Sequence, residues 1–298
     1  MRIAFLGTPG SAVPALDAIA EDVVVAITRG DKARGRSKRP VPSPVKAAAT
    51  RFGIEVVHPE RSTDIARVMT AAAVDLAVVV AYGRIIPEPA LNAVPLGFLN
   101  VHFSLLPRWR GAAPVERAIL AGDTATGVTI MRLDTGLDTG PTLSSVQAPI
   151  GDDADAESLT ATLAIMGAKL LKGTLDEYAS GRLEPVPQPD VGVTYAPRMD
   201  RVDSRLILTQ DAHSLDRVIR ASTTRGGAYA FLGGRSLKIW RARPAAGEHP
   251  PGRIAREGAH VLLGTGIGVL ELLEVQPAGS RRMSAAAWAR GHKTGTLT

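Results

Sequence analysis

The chain has 298 residues, 45% of them hydrophobic and 21% charged, which suits two domains of roughly 100–200 residues and excludes wholesale disorder. Lys and Arg total 35 against 29 Asp and Glu, a formal net charge of +6, and cysteine is absent, which excludes a disulfide framework, a thiol nucleophile and a cysteine-ligated zinc site. No apolar run approaches the roughly 18 residues of a membrane span and the opening MRIAFLGTPG lacks the apolar stretch of a secretory signal, so a soluble, cytoplasmic protein is expected.

The first half alternates short apolar runs with amphipathic stretches. Residues 3–6, 23–27, 54–57, 76–81 and 98–101 read as continuous apolar strands of the kind buried on both faces of a parallel sheet. Residues 12–20, 44–52 and 63–73 read as the helices between them, which predicts a doubly wound, Rossmann-like α/β domain. Residues 114–121 add a helix with Pro114 in its first turn. Residues 128–133 and 142–148 add two strands, and 157–178 a long closing helix. Pro185, Pro187, Pro189 and Pro197 then mark a stiff extended linker.

Beyond the linker one helix at 213–221 leads into strands at 228–232, 237–242, 252–255, 260–263 and 268–276, with Gly233-Gly234 as a hairpin signal. About 90 basic, strand-rich residues suggest a small antiparallel barrel, oligonucleotide-binding-like in type. The expected division is 1–183 for the α/β domain, 184–204 for the linker and 205–298 for the barrel. Residues 1–199 hold 20 basic and 21 acidic side chains, and 200–298 hold 15 and 8. The excess is therefore C-terminal, apart from a cluster of eight basic residues between Arg29 and Arg51 with one acid, Asp31. Two separated basic regions fit either a polyanion such as nucleic acid or plain solvated surface.

The turn Gly7-Thr8-Pro9-Gly10 after the first strand fails the dinucleotide fingerprint, because Pro9 and Ala12 stand where glycine is needed. The chemistry is better sought in FLNVHFSLLPRWRGAAP. Ligands bind at the carboxyl ends of parallel strands, and Asn100 and His102 fall there with the same facing. An amide donor and an imidazole together suit an oxyanion forming at a carbonyl. An acid to orient the histidine is available in LDTGLDTGP, as Asp134 or Asp138, although an aspartate before Thr-Gly-Pro also serves simply to form a turn.

N-x-H-x-S-L-L-P followed by W-R-G, with G-L-D-T-G-P about thirty residues later, resembles the ten-formyltetrahydrofolate-dependent formyltransferases. GTP near the N-terminus, the basic GRSKRPVPSPVK, VVVAYGRIIP and the late QPAGSRRMSAAAWARG are similar, over essentially the whole chain, to the members of that superfamily that act on methionyl-tRNA. The resemblance implies a Rossmann-like formyltransferase domain with a barrel tail, and Asn100, His102 and Asp138 as the catalytic group. It implies that Ser104, Leu105, Leu106 and Pro107 contact the folate, and that Ala81, Tyr82 and Gly83 lie beside the pterin. It implies that the basic segment carrying Arg36, Lys38, Arg39 and Lys46 enters the acceptor end of the tRNA, with Arg36 as its inserted arginine. The co-substrate would be 10-formyltetrahydrofolate, the partner initiator methionyl-tRNA, no metal is called for, and a monomer is expected.

Formyl transfer needs a neutral amine, inexpensive near neutral pH for an α-amino group of pKa about 7.7–8.0, and donors preset for the tetrahedral oxyanion. Either His102 or Asp138 is the base on this reading. Transfer must be direct, since no thiol is available for a thioester. The chain departs from the family mainly in the tail, at Ile207-Leu208 and at Thr223-Thr224-Arg225-Gly226-Gly227. A sugar-nucleotide formyltransferase and a non-catalytic RNA-binding protein on the same fold are the alternatives.

Overall fold

A computed structural model describes residues 1–33, 40–291 and 295–298 and resolves them into two compact units. The first comprises Met1–Pro114, Ala125–Pro149 and Thr160–Ala196. Its strands in chain order are β1 (Ile3–Gly7), β2 (Val23–Ile27), β3 (Lys32–Ala33), β4 (Pro40–Val41), β5 (Glu55–Val57), β6 (Leu76–Val80), β7 (Phe98–His102), β8 (Arg110–Gly111), β9 (Ala125–Arg132), β10 (Thr142–Pro149) and β11 (Tyr195–Ala196). Seven of them form one sheet in the order β10-β9-β7-β6-β1-β2-β5. The run from β5 to β7 is parallel, whereas β9 joins β7 antiparallel, with His102 opposite Thr129 and Asn100 opposite Met131.

The apolar runs become the central strands because they can be covered on both faces, and every residue of β1 and β6 is buried. The helices are α1 (Val13–Ile19), α2 (Pro44–Arg51), α3 (Asp64–Ala71), the unforeseen α4 (Glu88–Leu91), α5 (Pro114–Ala121) and α6 (Ala156–Ala179). Ser43 starts α2 by accepting the Lys46 amide at 3.0 Å, with Pro44 supplying a preset φ in the first turn. Ile65 and Met69, four residues apart on α3, enter the core beside Leu6, Ile27 and Phe98. Gly167 of α6 stands against β7 and β9, where a Cβ would come within 2.7 Å of Val101 Cγ1, so the missing side chain lets the helix lie close to the strand that ends in the histidine.

The expected linker over 184–204 is not a free tether, because its 186–196 stretch is strapped onto the first unit. Val186 and Thr142 exchange two backbone hydrogen bonds of 2.8 Å, and β11 pairs in parallel with β8. Pro185, Pro187 and Pro189 alternate with Val186 and Gln188, so in an extended chain their missing N–H groups face away from the strand that Val186 pairs with. Prolines at every second position thus permit one-sided pairing.

The second unit comprises Val115–Thr124, Ile150–Leu159 and Pro197–Thr298, more than the continuous 205–298 expected. Hydrogen bonds from Arg117 Nε to Pro197 O at 3.0 Å and from Arg220 Nη1 to Ala154 O at 3.0 Å tie the added stretches in. Its sheet runs β12 (Ala228–Leu232), β13 (Arg235–Ala245), β16 (Val269–Pro277), β15 (His260–Gly264) and β14 (Ile254–Glu257), all antiparallel, with β17 (Met283–Ser284) beside β16. Gly233 and Gly234 both adopt positive φ between β12 and β13, as a tight two-residue hairpin turn requires.

Residues 295–298 close the ring. Thr298 and Phe231 exchange backbone hydrogen bonds of 2.8 Å on one edge, while Ile254 N donates to Gly295 O and Leu297 N to Gly252 O on the other. Leu215 and Ile219 of α7 (Ala212–Ala221) and Trp288 of α8 (Ala285–Arg290) complete its core with Leu237, Ile239, Leu263 and Leu270. The expected barrel is present.

Candidate active site

β7 delivers Asn100 and His102 at its carboxyl end. His102 is 5% exposed and Asn100 half-buried, and the Asn100 amide makes no hydrogen bond among the described residues. His102 Nε2 lies 2.9 Å from the Trp109 carbonyl oxygen. A carbonyl can only accept, so Nε2 carries the hydrogen and Nδ1 is the nitrogen left for chemistry. Nδ1 faces Asp138 Oδ2 at 3.7 Å, beyond hydrogen-bond range. The histidine thus has one nitrogen fixed and the other poised.

Asp138 is held from several directions. Its Oδ2 accepts the Gly111 amide at 2.8 Å, and its backbone sits at φ +51°, in the left-handed region where Asp and Asn are the best tolerated of the residues that carry a Cβ. The other aspartate of the loop has a different task. Asp134 accepts from Gly136 N at 3.0 Å and Thr139 Oγ1 at 2.8 Å, closing the turn that presents Asp138.

The intervening SLLPRWRG segment is a tight crossing with a cis Leu106–Pro107 peptide bond. Ser104 is fully buried and donates to Arg108 O at 2.6 Å, while Thr129 Oγ1 donates to Ser104 O at 2.7 Å. The Ser104 hydroxyl thus donates within the turn, while Leu105, Leu106 and Pro107 beside it are half-buried. Trp109, at φ +64°, is a bulky residue in a region that costs about 1–3 kcal/mol, with the Arg108 guanidinium 4.5 Å above its ring.

Residues 186–196 supply what the sequence reading missed. Gln188 Nε2 donates to Asp138 O at 2.8 Å and to Gly140 O at 2.7 Å, and Gln188 Oε1 accepts Arg110 Nε and Nη2 at 3.0 and 2.8 Å. Thr194 Oγ1 accepts the Trp109 amide at 2.8 Å. Arg110 N donates to Thr194 O at 2.9 Å and Ala113 N to Ala196 O at 3.1 Å. The signal was present as a lone glutamine spaced between prolines, but a polar residue in a proline-rich stretch reads first as solvated.

Among the remaining candidates, the ring of Tyr82 is 2% exposed and belongs to the core with Leu6 and Ile27. Burial pushes its phenol up, opposed by the charges of Arg84 and Arg29. Any ligand contact from Ala81, Tyr82 and Gly83 is thus left to the backbone and to the exposed Ala81 and Gly83. Lys46 lies on α2, and its ammonium pairs with Asp31 at 2.8 Å. Arg36, Lys38 and Arg39 lie outside the described residues. Among the described residues no cluster of three His, Asp or Glu side chains could hold a metal, and no helix is long and apolar enough to cross a membrane.

Asn100 and His102 thus stand two residues apart at the carboxyl end of β7, with the Asp138 carboxylate 3.7 Å from the imidazole, in a chain whose class is that of the formyl transferases. Residues 1–175 match the formyl transferase family and residues 198–293 its C-terminal domain. The chain is 47% identical to the methionyl-tRNA formyltransferase of Thermus thermophilus over 98% of this chain and 96% of that one. It is 45% identical to that of Paracoccus denitrificans, over 98% and 97%. It belongs to the methionyl-tRNA formyltransferase family. Among solved structures, HypX from Aquifex aeolicus shares the fold at a TM-score of 0.71 and 19% identity, over 98% of this chain and 48% of that one. WlaRD, a sugar 3N-formyl transferase, does so at 0.69 and 17%, over 94% and 99%.

Proposed function

We propose that this enzyme transfers the formyl group of 10-formyltetrahydrofolate to the α-amino group of methionine on initiator methionyl-tRNA. The observation that carries the reading is the placement of Asn100 and His102 two apart at the end of β7, with Asp138 3.7 Å from the histidine, in a chain that belongs to this family along its length. The neutral amine attacks the formyl carbon, a C–N bond forms, and the carbonyl oxygen becomes an oxyanion. The Asn100 amide, unengaged among the described residues, is the donor that meets it, joined by His102 Nδ1 only when that nitrogen carries a proton, and a preset donor of this kind contributes about 2.7–4 kcal/mol at the transition state.

Collapse of the intermediate breaks the bond to the folate nitrogen, which takes up the proton lost by the amine. Asp138, with its carboxylate already fixed on Gly111, is placed to receive that proton directly or through water and to pass it on. Leu105, Leu106 and Pro107 with the backbone of Ala81 to Gly83 would form the folate wall. The segment with Arg36, Lys38 and Arg39, together with the basic barrel, would hold the RNA. On this reading the enzyme works as a monomer in the cytoplasm, where aminoacyl-tRNA and reduced folate are both at hand.

The test is a formylation assay with 10-formyltetrahydrofolate and either methionyl-tRNA or an amino-sugar nucleotide. Formylation of methionyl-tRNA alone is expected. Formylation of only the sugar would replace this reading with that of a sugar-nucleotide formyltransferase, and formylation of neither would point to a non-catalytic RNA-binding protein.

A further inference from the structure

The two nitrogens of His102 face Trp109 O and Asp138 Oδ2. Neither partner is set by regular secondary structure, since Trp109 and Asp138 both adopt positive φ in irregular segments. Each is instead tied to the extended stretch between Val186 and Ala196. Thr194 Oγ1 takes the amide of Trp109, the residue whose carbonyl receives Nε2–H. Gln188 spends both amide hydrogens on the carbonyls of Asp138 and Gly140, and its oxygen accepts two bonds from the Arg110 guanidinium. Gln188 therefore uses all of its hydrogen-bonding capacity.

We infer that the 186–196 strap is the orienting element of the catalytic histidine, with Gln188 and Thr194 as positioning residues. Gln188 sets Nδ1 through Asp138, and Thr194 sets Nε2 through Trp109. The inference rests on the assignment of His102 and Asp138 made above, and it adds two residues that touch neither substrate. It also explains why a proline-rich stretch suits this place. An extended chain with fixed φ at alternate residues presents Gln188 with little conformational freedom to lose. The preset side chain then holds a strained loop in the one geometry that faces the imidazole.

The substitutions that separate positioning from simple stability are conservative in shape. Gln188→Glu keeps an acceptor for Arg110 but loses both donors to the Asp138 loop, and Thr194→Val removes the acceptor for Trp109 N–H at nearly constant volume. With the full-length enzyme, each is expected to lower kcat by about 10- to 100-fold, the scale for misplacing a catalytic group by an ångström or less. The KM values for tRNA and folate should stay within about twofold, and the pH dependence of kcat should change, because the partners of the imidazole move. Thr194→Ser, which restores the acceptor, should recover activity.

A second readout is independent of turnover. Nitrogen-15 histidine spectra of the free enzyme, with His102 identified by its absence in His102→Gln, should show hydrogen on Nε2 in the wild type and a shifted titration or tautomer in both variants. Unchanged kcat, pH profile and His102 spectrum in a folded Gln188→Glu would overturn the inference. So would a loss of activity that tracks a lower melting temperature with pH profile and spectrum intact. If the wild type fails to formylate methionyl-tRNA, the functional reading falls while the spectra still decide whether the strap orients the histidine.

Discussion

At the carboxyl end of β7 the polar groups are few, largely buried and almost all committed, whereas on the barrel the charges are many and outward. His102, Ser104, Thr129 and Gln188 each have a named partner at hydrogen-bond distance. On the barrel the cations lie over rings. The Arg282 guanidinium carbon is 3.1 Å from the Trp240 ring centre, Arg201 is 5.2 Å from that of Tyr229, and Arg205 is 5.9 Å from that of Phe231. Such stacking braces a long side chain while leaving its charge presented to solvent. The first region is built for position, at the level of tenths of an ångström, and the second for potential, which tolerates movement. Losses in the first should therefore appear in kcat and losses in the second in KM and salt response.

The largest expected effect is that of Asn100→Ala. Removing the Asn100 amide, which is unengaged among the described residues, should reduce single-turnover formylation by about 10²- to 10³-fold with little change in tRNA affinity. Full turnover in this variant would transfer the oxyanion role to His102 alone. Next comes Gly111→Ala. Gly111 adopts φ +128°, a Cβ there would lie 2.7 Å from Ala196 O, and its amide holds the Asp138 carboxylate. Thermal unfolding should show a loss of about 1–3 kcal/mol together with lower kcat. Gly10→Ala, where a Cβ meets nothing within 4 Å, is the inert comparison.

On the barrel, replacing Arg235 and Arg281 together with Ala should leave kcat alone and raise the KM for tRNA. The slope of log KM against log salt should fall by about 1 to 2; both side chains are exposed and make no ion pair among the described residues. An unchanged slope would remove this face from RNA binding. The smallest effect concerns Glu271, whose carboxylate accepts His260 Nδ1 at 2.6 Å and Arg243 Nε at 2.8 Å. The hydrogen bond from His260, with Arg243 behind it, holds its carboxyl below the ordinary carboxylate range. Its stabilising contribution is thus full above that range and is lost as pH falls through the lowered folded value. Glu271→Gln should lower the melting temperature at neutral pH and converge with the wild type in acid, and parallel curves at every pH would deny the ion pair any stabilising role.

The legible part of the fold was the part written in periodicity. The apolar runs at 76–81 and 98–101 read as buried strands and are found at Leu76–Val80 and Phe98–His102, and the spacing of Asn100 and His102 gave both the same facing at the end of the second. What could not be read consists of backbone groups and of chemistry hidden by composition. The Trp109 carbonyl and the Gly111 amide carry no side-chain signature, and which atoms they meet is decided by the fold. Gln188 and Thr194 stood within a stretch whose prolines signalled a linker, because proline count does not say which side of an extended chain loses its donors. Closure of the barrel rests on residues 295–298, too short a run for alternation to mark as a strand. At Ser104 and Tyr82 the motif said nothing of side-chain burial, and the structure shows the serine hydroxyl donating within its own turn and the tyrosine ring in the core.

The left-handed backbone of Asp138 restricts which acids could ever serve there. Glutamate carries the same charge, but it belongs to the residue types that enter this conformation reluctantly, and its longer stem would carry the carboxylate past the Gly111 amide. Asparagine shares the tolerance of aspartate and loses only the charge. The chain's own geometry thus confines substitution to a narrow alphabet, and an Asp-to-Asn exchange at this position is the rare edit that removes a carboxylate from beside His102 while leaving the surrounding scaffold undisturbed.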